Sequence, residues 1–128
     1  MDRLLLLMPK TSYRADDFVD AADAVGVQVV LGTDRCRTLD AKGVVRLTRP
    51  NLALRFDDVQ AATRAIVEAG PFSAVIPTDD PTTELAAYAA AALDLPHNDI
   101  EGMRACRDKL GMRQRLAAAG VRQPDFQM

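Results

Sequence analysis

The chain begins with the stretch RLLLLMP at residues 3–9, in which the five residues Leu4–Met8 form an unbroken apolar run. A strand with one face in water alternates apolar and polar residues, whereas a strand covered on both faces is apolar throughout. Leu4–Met8 is therefore predicted to be a buried strand of a parallel sheet. Because both faces of such a strand need cover, the run also predicts helices above and below the sheet.

The segments after this run alternate between helical and strand patterns. A helix is predicted over Asp16–Val25, because apolar residues recur there at helical spacing and Gly26 can supply a left-handed C-cap. The predicted apolar face of this helix consists of Phe18, Ala22 and Val25. Further β-branched or apolar runs predict strands at Val27–Leu31, Val44–Leu47, Leu52–Phe56 and Ala74–Pro77.

Two more amphipathic helices are predicted in the middle of the chain. The first has Asp57 or Asp58 as its N-cap and ends at Gly70-Pro71. The second begins with Pro81, where the missing N–H of proline costs nothing. The apolar faces of the two helices are Val59, Ala62, Ile66 and Ala69, and Leu85, Tyr88, Ala89, Ala92 and Leu93.

The last part of the chain predicts two short helices and an extended tail. Asn98 and Glu101 have the spacing of a capping box at the start of the first helix. The second helix restarts at Asp108-Lys109 and ends at Gly120. The whole order, β-α-β-(β)-α-β-α-α-α, predicts an α/β fold: one domain over residues 1–128, with an open parallel sheet of about four to five strands and helices on both faces.

Composition excludes several classes of protein. A formal charge of −2 argues against general nucleic-acid binding, and the basic segment Arg35–Arg55 lacks the interleaved aromatic residues that single-strand binders use for stacking. We expect this segment to form an exposed face near a sheet edge. The opening apolar run is too short for a signal peptide or a membrane span. Cys36 and Cys106 lack zinc-site spacing, so a reduced, cytoplasmic protein is predicted.

Two loops are candidates for binding substrate, because ligands of open α/β sheets bind beyond the carboxyl ends of the strands. The loop after the first strand offers Lys10, Thr11 and Arg14, which suit a carboxylate or phosphate at a helix N-terminus. The loop after strand Ala74–Pro77 offers residues that could orient an amine: Thr78, Asp79, Asp80 and Glu84. The structural alternatives are a helix cap for Asp80 and simple solvation for Lys10 and Arg14.

The usual motifs for nucleotides and for catalysis are missing. Neither GxGxxG nor GxxxxGK[ST] occurs, and the glycines are dispersed, which argues against tight nucleotide binding by this chain alone. His97 is the sole histidine and lies in a predicted turn, so a surface or capping role is expected. No catalytic residue and no metal ligand is assigned.

The stretch LPHNDIEGMRACRDKLGMRQRLAAAGVRQPDF, residues 95–126, carries a family resemblance. The matching residues, in order and spacing, are Pro96, Asn98, Glu101, Arg104, Asp108-Lys109, Leu116, Gly120 and Pro124. This pattern resembles the end of the N-terminal, preATP-grasp domain of the ATP-grasp carboxylate–amine or carboxylate–thiol ligases. That superfamily includes biotin carboxylase, carbamoyl phosphate synthase and phosphoribosylglycinamide synthetase.

The resemblance implies a Rossmann-like domain whose residues from about 108 to 128 lead into ATP-binding lobes. It places Lys109 near ATP in the intact enzyme; the structural alternative is that Asp108 caps the helix and Lys109 is simply exposed. It also implies Mg²⁺ as a cofactor and a two-step reaction. ATP phosphorylates a carboxylate to give an acyl phosphate, and an amine or similar nucleophile then displaces the phosphate. The partners would be the remaining lobes, in cis or in trans, and the two small substrates, with a homodimer as an open alternative.

The departure from the family is large, because three features that the family places further along are missing here: the flexible Gly-rich loop over the phosphates, the family's second lysine, and the acidic and Asn ligands for magnesium. The chain is therefore expected to be the front part of such a ligase, inactive by itself, with a weakly anchored tail over Val121–Met128. The alternative from another class is a stand-alone α/β ligand-binding or regulatory module.

Overall fold

A computed structural model describes residues 2–10, 12, 14–34 and 49–127 of the chain. It contains four strands: β1 (Arg3–Leu7), β2 (Gln28–Thr33), β3 (Asn51–Ala53) and β4 (Ala74–Pro77). They form one sheet in the order β3-β2-β1-β4, and all three pairings are parallel. The predicted parallel sheet, with the first strand in its interior, is thereby confirmed. Several sequence predictions fall outside the described residues. They concern Thr11, residues 35–48 of the basic segment, and, within that segment, Cys36 and the strand predicted at Val44–Leu47.

Five α-helices connect and cover these strands in the described parts of the chain. They are α1 (Ala15–Val25), α2 (Val59–Ala69), α3 (Thr83–Ala92), α4 (Ile100–Arg107) and α5 (Lys109–Ala118). A short 3₁₀ turn, Asp80–Thr82, precedes α3 and contains the proline predicted at a helix start. Within the described segments, none of the helices combines the length and hydropathy that crossing a bilayer would require.

The residues of the opening run alternate between two apolar layers. Leu5 and Leu7 are 0% exposed and pack with Ile66 of α2 and Leu85 of α3. Leu6 and Met8 point to the opposite side and pack with Val19 and Ala22 of α1. A strand between two layers has no polar face, which explains why the run is apolar at every position. The prediction of helices on both faces is confirmed.

The inward face of α1 differs from the predicted one. Val19 and Ala22 are buried, whereas Val25 is 74% exposed. At 3.6 residues per turn, Val25 lies roughly 90° around the helix from the midpoint of Val19 and Ala22. It therefore points away from the sheet. Gly26 ends the helix in the left-handed conformation, with φ of 74°, as predicted.

The caps of α2 and α4 are aspartates. Asp58 caps α2, since its Oδ1 accepts a hydrogen bond of 2.9 Å from the backbone N–H of Ala61. Its neighbour Asp57 pairs instead with Arg55, and that hydrogen bond holds the pKa of Asp57 below its ordinary value. The predicted capping box of Asn98 and Glu101 is wrong.

The cap of α4 lies one residue later than predicted. Asp99 accepts a hydrogen bond of 2.6 Å from the N–H of Gly102. The side chain of Glu101 binds Arg104 rather than reaching back to the cap. The carboxylate of Asp99 at the Ncap position accepts the hydrogen bond of a free backbone N–H directly. The carboxylate of Glu101 pairs instead with the nearby cation Arg104.

Replacing Asp58 with alanine is expected to lower the free energy of unfolding by about 1 kcal/mol, because α2 loses its side-chain cap. Urea denaturation followed by circular dichroism measures this change. The matched control is Asp57→Ala, which removes an exposed carboxylate one residue away and should change stability much less. Equal losses in the two variants would mean that the cap contributes nothing beyond surface charge.

The last two helices and the tail are more exposed than the rest of the described chain. No residue of α4 or α5 is fully buried. Cys106 of α4 is a free, exposed cysteine. In the tail, the side chain of Gln123 donates a hydrogen bond of 2.9 Å to the carbonyl oxygen of Arg113, and the other described tail residues are exposed.

Candidate functional site

The two loops selected from the sequence meet at the carboxyl ends of β1 and β4, which are neighbours in the sheet. The hydroxyl oxygens of Ser12 and Thr78 lie 3.3 Å apart. Ser12 is buried and Thr78 is half-buried. The Oγ1 atom of Thr78 also lies 3.1 Å from the carbonyl oxygen of Leu7, the last residue of β1. Ser12, Thr78, Asp79 and Thr82 lie beyond the strand ends, where ligands of open α/β sheets bind, and we call this group of residues the strand-end crevice.

Asp79 is the carboxylate of this crevice. Its Oδ2 atom lies 3.1 Å from Thr78 Oγ1, and the residue is half-buried. The hydroxyl of Thr78 carries a single proton and can donate to either Leu7 or Asp79 at one time. Among the described residues no other side chain or backbone group is seen to donate to the Asp79 carboxylate. It therefore keeps acceptor capacity for a donor group such as an ammonium.

Thr82 fixes the turn that carries Asp79. It is 0% exposed, and its Oγ1 lies 3.0 Å from the carbonyl oxygen of Asp79 and 3.4 Å from that of Leu7. Ser12 and Thr82 were not selected from the sequence. The available signal was a hydroxyl residue directly beyond a buried strand, but many such residues only close turns.

Lys10 and Arg14 lie on the other side of the first loop. The backbone N–H of Lys10 donates a hydrogen bond of 3.0 Å to Asp34, which follows β2. Arg14 forms an exposed ion pair of 3.1 Å with Asp17 in the first turn of α1. Thr11 lies outside the described residues. Backbone and carboxylate groups thus hold this loop beside the strand-end crevice.

Asp80 and Glu84 do not line the crevice in the way that Thr78 and Asp79 do. Asp80 is exposed, and its predicted capping role is wrong, because no side chain caps the 3₁₀ turn or α3. Glu84 turns toward α4, where its Oε1 accepts a hydrogen bond of 3.1 Å from Arg104 Nε. Its second oxygen lies 3.8 Å from Arg107.

Lys109 begins α5, as predicted. Asp108 caps this helix by accepting a hydrogen bond of 3.1 Å from the N–H of Leu110. Lys109 lines a cleft of about 370 Å³ together with Leu110, Arg113, Phe126 and Gln127. Two cations beside apolar walls fit a ligand that combines an anionic group with an apolar group. The tail of the chain, which carries Phe126, closes one side of this cleft.

Other candidate chemistry is sparse in the part of the chain that the structure describes. His97 is exposed, with its Nδ1 2.9 Å from the carbonyl oxygen of Asn98. It lines a separate cleft of about 340 Å³ between β4 and α3. Over the described ranges no three His, Cys, Asp or Glu side chains are close enough together to hold a metal ion.

Comparison with solved structures gives an informative likeness. No model of a known protein family matches the chain, and no curated protein is significantly similar to it. The fold is similar to that of a solved structure, an L-amino acid ligase from Bacillus licheniformis, with a TM-score of 0.78 and 24% sequence identity. The likeness covers 99% of this chain but 32% of that protein, so this chain spans about a third of its length.

Proposed function

We propose that the chain is the N-terminal, substrate-side domain of an ATP-dependent ligase of the ATP-grasp family. The carrying observation is a likeness to an amino acid ligase that extends over nearly all of this chain and over about a third of the other. The pattern of residues 95–126, which resembles the end of the preATP-grasp domain, supports the same assignment independently of the fold. The partners are the remaining lobes, in cis or in trans.

The proposed reaction joins a carboxylate to an amine, with amino acids as the substrate class suggested by the similar structure. ATP supplies the phosphoryl group that activates the carboxylate as an acyl phosphate. The amine nitrogen then attacks the acyl carbon, and phosphate leaves. Mg²⁺ would be held by residues of the remaining lobes, because the described residues offer no ligand set.

The residues of this chain would bind and orient in that reaction. Asp79 would accept hydrogen bonds from a substrate ammonium, while Thr78, which also contacts Ser12, would hold its carboxylate in position. Lys10, Thr11 and Arg14 are proposed to face the substrate's anionic group, with Asp80 and Glu84 at the margin. Lys109 would lie beside the nucleotide, on the side where the remaining lobes dock.

The chain would be inactive alone because its described residues supply too few groups that bind phosphate or metal. Phosphoryl transfer needs phosphate and metal groups that stabilise the developing charge in the transition state. Lys109 is an exposed cation and Arg113 a half-buried one, and both lie beside an open cleft. Exposed charge pairs contribute at most about 1 kcal/mol each. The lobes that would complete the site are therefore essential to the proposal.

The substrate assignment is tested by Asp79→Asn in the longer protein that contains the remaining lobes. Loss of a charged hydrogen-bond partner for an ammonium is expected to raise the KM for the amino acid about 10- to 100-fold, corresponding to roughly 1.5–3 kcal/mol. ATP-dependent phosphate release measures this change. Asp80→Asn, one residue away and exposed, should have a smaller effect, and Asp20→Asn on the outer surface of α1 should have none.

A KM that stays unchanged in Asp79→Asn, with unaltered thermal stability, would remove Asp79 from the binding site. Ligase activity in that variant would then direct the search to the Lys10–Arg14 loop. Absence of ATP-dependent ligation in the unsubstituted longer protein, with amino acids as both substrates, would contradict the proposed function itself.

A further inference from the structure

The two last helices form an arm that is weakly built into the domain. The arm, Ile100–Ala118, consists of α4 and α5, in which no residue is fully buried. Helix α5 packs on α4, and α4 packs on α3. The arm therefore lacks the fully buried apolar side chains that stabilise the sheet and the helices covering it, and its apolar residues are at most half-buried.

Polar contacts also attach α4 to α3, and Arg104 makes most of them. Its Nε donates to Glu84 at 3.1 Å, and its NH2 group donates to the hydroxyl of Tyr88 at 2.6 Å. The guanidinium also lies 6.0 Å from the centre of the Tyr88 ring, within the range of a cation–π contact. The hydrogen bond with Glu84 is the main reason why the pKa of Arg104 is raised above its ordinary value.

Glu84 is the shared acceptor on the side of the domain. It receives Arg104 on one oxygen and Arg107 on the other, and its side chain is 16% exposed. It lies in the first turn of α3, five residues beyond Asp79 of the strand-end crevice. Two cations on the arm thus converge on one half-buried carboxylate of the domain.

We propose that Arg104, Arg107, Glu84 and Tyr88 form an electrostatic latch, and that the arm swings as a unit when the latch opens. The non-helical connector between α3 and α4 serves as the pivot; it contains Asp94, which has a left-handed φ of 56°. The arm carries Lys109 at the start of α5. If the proposed function holds, the latch sets the orientation of Lys109 and of the remaining lobes relative to the strand-end crevice.

The latch is tested on this chain alone, so that its failure is distinguishable from failure of the proposed function. A spin label on Cys106, in α4, and a second one at Glu68→Cys, on the exposed side of α2, report the distance between arm and domain. Cys36→Ser removes the other native thiol. We expect a single narrow distance distribution in low salt, and a broadened one in about 1 M salt, where the screening length falls to roughly 3 Å.

The charge variant is Glu84→Gln, and its matched control is Arg115→Gln. Arg115 pairs with Glu101 within the arm, at 3.6 Å, and does not touch α3. Glu84→Gln should broaden the distribution in low salt and speed amide hydrogen exchange in α4 by roughly three- to tenfold. Exchange in β1 should stay unchanged, and Arg115→Gln should behave as the unsubstituted chain.

Two results would overturn the latch. One is a distribution that stays narrow both in Glu84→Gln and in high salt. The other is faster exchange in β1 to the same degree as in α4, which would mean that Glu84 supports the whole fold. The salt titration of the unsubstituted chain keeps the test decisive even if Glu84→Gln does not fold.

Discussion

Replacing Leu5 with alanine should lower the free energy of unfolding by about 3 kcal/mol, within the range of roughly 2–5 kcal/mol for leucine-to-alanine changes in cores. Leu5 is 0% exposed and lies on β1, which is paired on both sides in the sheet. Its side chain belongs to the larger apolar layer, with α2 and α3. The packed residues around it can collapse only partly, because they also pack against one another.

The matched control is Leu4→Ala, one residue earlier in the same strand. Leu4 is half-buried and packs at the edge of the layer beneath α1. Its truncation should cost clearly less than that of Leu5. Urea denaturation monitored by circular dichroism gives both values. Equal losses would show that β1 is not the buried strand described here.

The sheet was predictable because its signal is local. Every residue of Leu4–Met8 is apolar, and Ala74–Pro77 stands between turn residues, so both strands follow from the order of residues alone. The cap at Asp58 and the restart at Asp108-Lys109 were predictable for the same reason, since a cap acts within three residues of itself.

The sequence predictions were wrong or incomplete where the position of a side chain depends on residues far away in the sequence. The Glu84 side chain is held by Arg104, twenty residues later, and sequence order gives no sign of that pairing. Ser12 meets Thr78 because β1 and β4 are neighbours in the sheet. Val25 was predicted on the inward face of α1 from its helical spacing, but an apolar residue is buried only where another element covers it.

The second large effect concerns ATP. The chain alone is expected not to bind Mg-ATP to saturation in the micromolar range, because micromolar affinity requires roughly 8 kcal/mol. Lys109 and Arg113 are the cations beside the cleft near α5, and exposed charge interactions contribute about 1 kcal/mol or less each. Mg²⁺ would supply charge stabilisation in the proposed enzyme, and the described residues contain no group of three His, Cys, Asp or Glu side chains that could hold it.

The matched experiment uses the longer protein with the remaining lobes. There, Lys109→Ala should weaken Mg-ATP binding, whereas Arg122→Ala, an exposed cation of the tail that does not line the cleft, should leave it nearly unchanged. Equal affinities in both variants and the unsubstituted protein would remove Lys109 from the nucleotide site without affecting the fold assignment.

Isothermal titration of the purified chain and of the longer protein with Mg-ATP, side by side, tests the central claim most directly. We predict that residues 1–128 show no saturable micromolar binding of Mg-ATP, and that such binding appears once the remaining lobes are present. Saturable micromolar binding by the chain alone would contradict the assignment as a ligase domain that depends on further lobes, and would favour a stand-alone α/β ligand-binding module.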